Sequence, residues 1–265
     1  MVHTLNVVQS ASRTRHLSLV PNDRRERQRE ERRRRILGAA DALLAEHGLE
    51  GITMQRVADQ LDCAVGTLYL YFPSKSALVA ALQGRAIDTL RSSYEAARPD
   101  WDAYLAEAAL GPELSSLVLL AAFGSHWVSA SVVLADEFQL QRGLLSERVP
   151  LSSREEVREV LPLLDRLLEN PETLIRSAID QRVLDPGSER ERSLVWLAAL
   201  DGVLLLEHLA PVDRHLFRPQ HLARRLTQDL LMGWGAERAD VEVADGHVER
   251  LALLGPMAPP PTDYE

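Results

Sequence analysis

The stretch Ala58–Leu78, ADQLDCAVGTLYLYFPSKSAL, decides how this chain folds. It holds the end of one short helix, a turn at Asp62–Cys63–Ala64, and a second short helix from Val65 to Tyr71. Pro73 stops that helix, and Ser74 is placed to cap a long one that follows. Upstream, Thr53 is the natural N-cap of the first short helix, whose inward face is Met54, Val57, Ala58 and Leu61. Downstream, Leu78, Val79, Leu82, Ala86 and Leu90 recur with the helical period and face inward over a helix expected from Lys75 to about Ala97. Two short helices, a three-residue turn and a small residue, Ala58, at their crossing make a helix-turn-helix. Asp62 tolerates the left-handed backbone such a turn requires. Ala64 offers no side-chain acceptor to cap the second helix, which costs about 1 kcal/mol relative to a serine. Cys63 is expected as a small packed residue, because the chain has no second cysteine to pair with it.

Working outward toward the N-terminus, Ile36, Ala39, Ala40, Leu43, Leu44 and His47 lie on one helical face, and Gly48 supplies a left-handed stop. Arg24–Arg35 places eight arginines among three glutamates. Two readings of this run stand side by side: a solvated helix face with i,i+4 ion pairs, or a basic arm reaching a phosphate strand or the minor groove. Residues 1–23 have no period and read as a flexible arm with no apolar core of a secretory signal.

Beyond Pro99 the period stays helical. Segments at roughly 100–110, 113–140, 153–169, 171–184, 189–209 and 219–233 are expected between Gly and Pro breakers, with a weaker amphipathic stretch near 238–252. Residues 253–265, ending GPMAPPPTDYE, read as a disordered tail. No alternating β-branched run is bounded by hairpin signals, so the expected class is all-α. The division is an arm at 1–23, a three-helix helix-turn-helix domain at 24–82 and a larger helical domain at 83–252. Leu114–Ala135 carries no charged residue and is long enough to span a bilayer. It contains five serines, His126 and Gly124, and its flanks are acidic, so a buried helix of a bundle is expected and no membrane partner.

The chain has 265 residues, 46% of them hydrophobic and 26% charged, the balance of a globular protein. That excludes collagen-like, mucin-like and wholly disordered classes. A single cysteine suits a reducing, cytoplasmic setting and rules out a cysteine-cluster metal site. The formal charge is −9, but residues 1–98 hold 15 basic against 11 acidic residues while residues 99–265 hold 15 against 28. The basic front is the part with the helix-turn-helix.

The string quoted at the outset resembles the DNA-binding domain of the tetracycline-repressor (TetR) family, whose third helix carries Gly-Thr-Leu-Tyr-x-Tyr-Phe followed by Ser-Lys at the start of helix four. The likeness covers about residues 34–82. It implies a homodimeric transcriptional regulator, a repressor, acting on double-stranded operator DNA and responding to a small-molecule effector. The DNA contacts it implies are Arg33, Thr53, Gly66, Thr67, Tyr69, Tyr71 and Lys75. Gly66 lets the third helix approach the DNA backbone, while Thr67 and Tyr69 offer hydroxyls to phosphates or base edges. Lys75, the only lysine of the chain, opens helix four, where free N–H groups and the helix dipole favour an anion. Asp62–Cys63–Ala64–Val65 departs from the family's usual Gly-Val-Ser-Lys, which removes a cap and a phosphate contact and leaves the base contacts open.

In the larger domain, Trp101, Tyr104, Phe123, His126, Trp127 and Ala130 are candidates to line an apolar effector pocket, with plain core packing the alternative for each. Leu194–Leu209 is apolar around most of its circumference. With the leucines of the next helix it suits a two-helix dimer seam, for which Leu197, Leu205, Leu209, Leu226 and Leu230 are the candidates. No GxSxG, Walker loop, HExxH or GxGxxG placed after a strand occurs, and His208, His215 and His221 lack the spacing of a shared metal face. No enzyme activity, cofactor or metal is therefore expected. The competing class is a helical small-molecule-binding protein or enzyme with an incidental helix-turn-helix.

Overall fold

The computed structural model describes residues 20–145 and 154–260, all of whose regular elements are helical. Ten α-helices follow one another: α1 Val20–Gly51, α2 Met54–Gln60, α3 Val65–Tyr69, α4 Lys75–Glu107, α5 Pro112–Val133, α6 Ala135–Leu145, α7 Arg154–Asp180, α8 Glu189–Leu205, α9 Pro219–Gly233 and α10 Arg238–Leu254. A 3-10 turn, Leu206–Leu209, extends α8.

Two hydrophobic clusters organise them. The first is built from α1, α2, α3 and the start of α4, with Ile36, Ile52, Val57, Leu68, Phe72 and Leu78 almost without exposed surface, and Leu140 of α6 closing it. The second and larger one runs from Ile87 of α4 through α5, α7, α8, α9 and α10, with Leu120, Leu168, Ile175 and Trp196 among its fully buried side chains. Ala86 packs in the first cluster and Ile87 in the second, so the boundary expected at residues 82 and 83 falls inside the continuous helix α4.

Several expectations need correction. Helix α1 begins at Val20, so the last residues of the expected 1–23 arm are helical, and the remainder of that arm lies outside the described residues. Helix α3 stops at Tyr69 and not at Tyr71. Helix α4 continues through Pro99 to Glu107, and α7 continues through Pro162 and Pro171. A proline inside a helix costs about 3 kcal/mol. Here the buried stripe outweighs it: Tyr94, Ala97, Trp101 and Leu105 keep the helical period across Pro99, as Leu167, Leu168, Leu174 and Ile175 do across Pro171. Conversely, the single helix expected over 113–140 is divided at Leu134, whose backbone leaves the helical region at φ −121 and ψ 54. The tail is corrected as well. Residues 253 and 254 end α10, and in the following segment Met257 and Ala258 are buried against the larger cluster. Residues 261–265 lie outside the described part.

Helix α5 is long and apolar enough to cross a membrane by length and composition alone. Most of it is buried by α7, α8, α9 and α10, which accounts for its lack of charge. Its approach to α9 is close: a Cβ on Gly124 would stand 2.8 Å from Thr227 Oγ1.

Candidate functional site

The helix-turn-helix is assembled by local bonds that its own residues supply. Thr53 Oγ1 accepts from the Arg56 N–H at 3.2 Å and starts α2. Asp62 takes the left-handed conformation with φ 49, and the Cys63 N–H donates to the Ala58 carbonyl at 3.0 Å, which folds the turn back on α2. Ala64 gives α3 no side-chain cap, and the Thr67 N–H is taken up by the Ala64 carbonyl at 2.8 Å instead. Ser74 Oγ accepts from the Ala77 N–H at 3.0 Å and starts α4. Both capping hydroxyls use a lone pair, so each keeps its O–H proton for another acceptor.

The outer face that results is polar and open. Leu68 is fully buried and anchors α3 to the core, while Tyr69 is 49% exposed and Thr67 half-buried beside it. Gly66 faces open space, with nothing within 4 Å of where a Cβ would stand. Lys75 and Thr53 are exposed. Tyr71 is half-buried and packs against the first cluster, next to Phe72, over whose ring the Arg33 guanidinium lies at 4.5 Å. Stacking uses the face of the guanidinium and leaves its in-plane donors available. The structure therefore brings Arg33 and Tyr71 together beside α3, and presents Thr67, Tyr69 and Lys75 on the same helix pair. Leu70, 75% exposed at the end of α3, belongs to this surface and was not anticipated. A strict inward-facing period for α3 would have pointed to it, since Leu68 alone of the two leucines falls on the core side.

The six candidate pocket residues behave differently. Trp101, Phe123, His126, Trp127 and Ala130 are buried. Phe123 stacks on Trp127 with ring centres 6.0 Å apart, His126 meets Trp101 edge-on at 6.2 Å, and Tyr94 joins Trp101 and Phe123 at 5.8 and 5.3 Å. Tyr104 stands apart and shares a 2.7 Å hydrogen bond with His247 Nδ1 of α10. Three donors inside the cluster are paired: Trp127 Nε1 donates to Asp201 at 3.0 Å, Gln141 Nε2 to the same carboxylate at 3.1 Å, and Trp196 Nε1 to Thr227 Oγ1 at 3.1 Å, whereas Gln141 Oε1 and Ser193 Oγ are buried without a partner among the described residues. Burial holds the Asp201 carboxyl above the ordinary aspartate range, against the lowering effect of those hydrogen bonds. Asp201, Gln141 and Thr227 were not foreseen, because partners 31 to 74 positions apart leave no local pattern.

Of the candidate seam residues, Leu205 is 60% exposed, and Leu209, Leu226 and Leu230 are half-buried. Leu197 is a correction: it has no exposed surface and faces the larger cluster with Trp196 and Leu200, so it has no part in a seam. An all-round apolar helix meets two demands at once, and periodicity does not say which leucine answers which. Among the described residues, no group of three or more His, Cys, Asp or Glu side chains stands close enough to hold a metal ion.

Residues 36–82 match the model of a family described as bacterial regulatory proteins, tetR family. Residues 36–82 thus resemble the tetR-type helix-turn-helix domain. The sequence is 53% identical over 55 residues to the HTH-type transcriptional repressor KstR of Mycobacterium tuberculosis, a match covering 21% of this chain and 25% of that protein. It is 47% identical over 62 residues to KstR of Rhodococcus jostii, covering 23% and 29%. The chain thus spans between 25% and 29% of the length of these curated relatives. The fold beyond the tetR-type domain is shared more widely. The crystal structure of RolR in complex with resorcinol superposes with a TM-score of 0.54 at 17% identity, over 83% of this chain and 95% of that one. A Rhodococcus protein of unknown function superposes with a TM-score of 0.50, again at 17% identity, over 77% and 95%.

Proposed function

We propose that the chain is a ligand-responsive transcriptional regulator, a cytoplasmic homodimeric repressor that leaves double-stranded operator DNA when a small hydrophobic effector binds. It is not an enzyme in this reading. The observation that carries it is the open face of α3 and the start of α4, where Thr67, Tyr69 and Lys75 stand exposed or half-exposed around a glycine, Gly66, with free space in front of it. A face of this kind fits the major groove. Thr67, Tyr69 and Leu70 meet base edges or sugar, Leu70 through apolar contact with a thymine methyl. Thr53, Tyr71, Arg33 and Lys75 hold phosphates on either side. Kinship with KstR, a transcriptional repressor, supports the sign of the regulation.

Homodimerisation is proposed through α8 and α9. Leu205 is exposed, Leu206 beside it partly so, and Leu226 and Leu230 are half-buried on the adjacent helix. A two-fold axis along these helices buries them in a four-helix contact. Each protomer then offers one α3 to a half-site. An effector acts by favouring a conformation whose two α3 helices are wrongly spaced, and a coupling of about 1–3 kcal/mol suffices for a switch.

The test is a binding titration of the purified chain on DNA from upstream of its own coding sequence, repeated across salt concentrations. Phosphate contacts make the affinity fall steeply with salt, and Lys75→Ala should weaken every sequence alike and flatten that slope by about 0.9. Thr67→Ala should weaken the operator more than a scrambled duplex. Leu205→Glu should give monomers without operator affinity. Unchanged affinity in Lys75→Ala removes the phosphate assignment, and a persistent dimer in Leu205→Glu moves the seam elsewhere.

A further inference from the structure

After α10 the chain does not leave the molecule. Gly255–Pro260 turns back across α4 and α5, burying Met257 and Ala258. Two buried donors hold it. The Ser93 hydroxyl of α4 donates to the Pro259 carbonyl at 2.7 Å, and His126 Nδ1 of α5 pairs with the Met257 carbonyl at 2.8 Å. A carbonyl has no proton to give, so His126 carries its proton on Nδ1. Ser93 has no exposed surface and His126 only 2%. Tyr94, Trp101 and Phe123 pack around the imidazole with ring centres 5.7–6.3 Å away. The segment also borders a cavity on each side. One of about 330 Å³ lies between α5, α9 and α10 beside Val128, Val248 and Met257, and one of about 370 Å³ lies between α4 and α10 beside Trp101, Tyr104 and Pro259.

We propose that Gly255–Pro260 is the built-in occupant of a small-molecule site, and that the ligand is an apolar, partly aromatic molecule with two hydrogen-bond acceptors that replaces the strap at Ser93 and His126. The chemistry follows from the two donors. A pure hydrocarbon that pushed the strap away would leave both buried donors unpaired, a penalty that works against it. A flat molecule bearing carbonyl, carboxylate or similar oxygens satisfies both donors and meets the edges and faces of Tyr94, Trp101 and Phe123. Displacement joins the two flanking cavities, each already within the usual size of a ligand pocket. The strap is six residues long and lies beyond the last turn of α10, so it can detach without unravelling a helix. The effector role of this site rests on the regulator function proposed above, whereas the site itself does not.

The test uses 1-anilinonaphthalene-8-sulfonate, an aromatic acceptor-bearing fluorophore, titrated into the full chain and into a chain ending at Leu254. The shortened chain should bind the probe at least tenfold more tightly with one-to-one stoichiometry and an unchanged near-ultraviolet dichroism spectrum. The peptide of residues 255–265, GPMAPPPTDYE, added in trans should displace it. Met257→Asp in the full chain should reproduce the tightening, because a carboxylate is driven out of an apolar seat. Either folded variant binding the probe no tighter than the native chain overturns the proposal. Loss of cooperative melting in both variants overturns it too, since the segment would then be core and not a displaceable occupant. DNA binding is scored separately: a native chain with no affinity for its upstream DNA removes the regulator function and leaves the strap result standing.

Discussion

The helix-turn-helix region and the larger helical bundle are both all-α, yet they are specified in different ways. Between Thr53 and Leu78 nearly every element boundary has a residue that causes it within three positions: Thr53 and Ser74 cap helices through their own hydroxyls, and Asp62 makes the left-handed turn. In the bundle such signals act at some boundaries, with Ser188 capping α8 and Pro112 and Pro219 opening α5 and α9, but not at others. Pro99, Pro162 and Pro171 sit inside helices, while α5 ends at Leu134 with no breaker at all. Its partners are distant: Trp127 and Gln141 meet on Asp201, Trp196 meets Thr227, and Ser93 meets Pro259. Local bonds define a shape that can be repeated in many proteins, whereas long-range packing adapts to each. The KstR repressors share 47–53% identity with this chain over stretches of 55–62 residues, while RolR shares its fold at 17% identity.

The contrast can be broken by substitutions that separate packing from local signals. Trp196→Ala should have the largest effect, a destabilisation of about 3–5 kcal/mol by chemical denaturation, since the indole is fully buried and bonded to Thr227. A loss under 1 kcal/mol would mean that the bundle is not held by its long-range contacts.

Acidification gives the next effect. Burial depresses the His126 imidazole to about 4. In the unfolded chain the same group takes up its proton near 6.5, so between those values the unfolded state binds more protons and stability falls as pH drops. The full effect approaches roughly 3 kcal/mol below pH 4, from 1.36 kcal/mol for each pKa unit. Asp201 acts in the opposite direction, because its raised pKa makes the folded state the better proton acceptor on acidification. Melting temperatures of native chain and His126→Gln between pH 7 and pH 4 isolate the imidazole: the native chain should lose more stability over that interval, and parallel curves would rule the titration out.

Smaller effects belong to the first region. Ser74→Ala and Thr53→Ala should each cost about 1 kcal/mol, the usual worth of a side-chain N-cap. Hydrogen exchange should place that loss in residues of α2–α4 and leave α8 and α9 protected as before. The smallest change is expected from Asp62→Gly, within about 1 kcal/mol of native and on the stabilising side, because glycine relieves the φ 49 backbone while adding entropy to the unfolded chain. A marked destabilisation there would assign the Asp62 side chain a role that its exposure does not suggest.

How much could be read in advance follows the same division. Thr53, Ser74, Asp62 and the inward stripe from Leu78 to Leu90 were all legible, because each acts on neighbours along the chain. The exposed face of α3 was legible apart from Leu70. Leu197 was misplaced for want of a partner: on an apolar helix the sequence cannot distinguish a side chain facing its own core from one facing another protomer. The tail was misread because Gly, Pro and Ala are the composition of disorder, and its anchors, Ser93 and His126, lie 166 and 131 residues away.

The order of the helices, the capped turn between α2 and α3 and the residues on the outer face of α3 were determined by the sequence alone. Hydrogen bonds and periodicity within a few residues are enough to set them. Only the tertiary structure decided that helices run through prolines, that Asp201 is the meeting point of Trp127 and Gln141, and that Gly255–Pro260 folds back over His126. Those outcomes depend on which buried surfaces meet. A helix tolerates a proline when enough apolar area on both sides of it is removed from water, and a polar group enters a core when a partner far along the chain is brought within bonding distance.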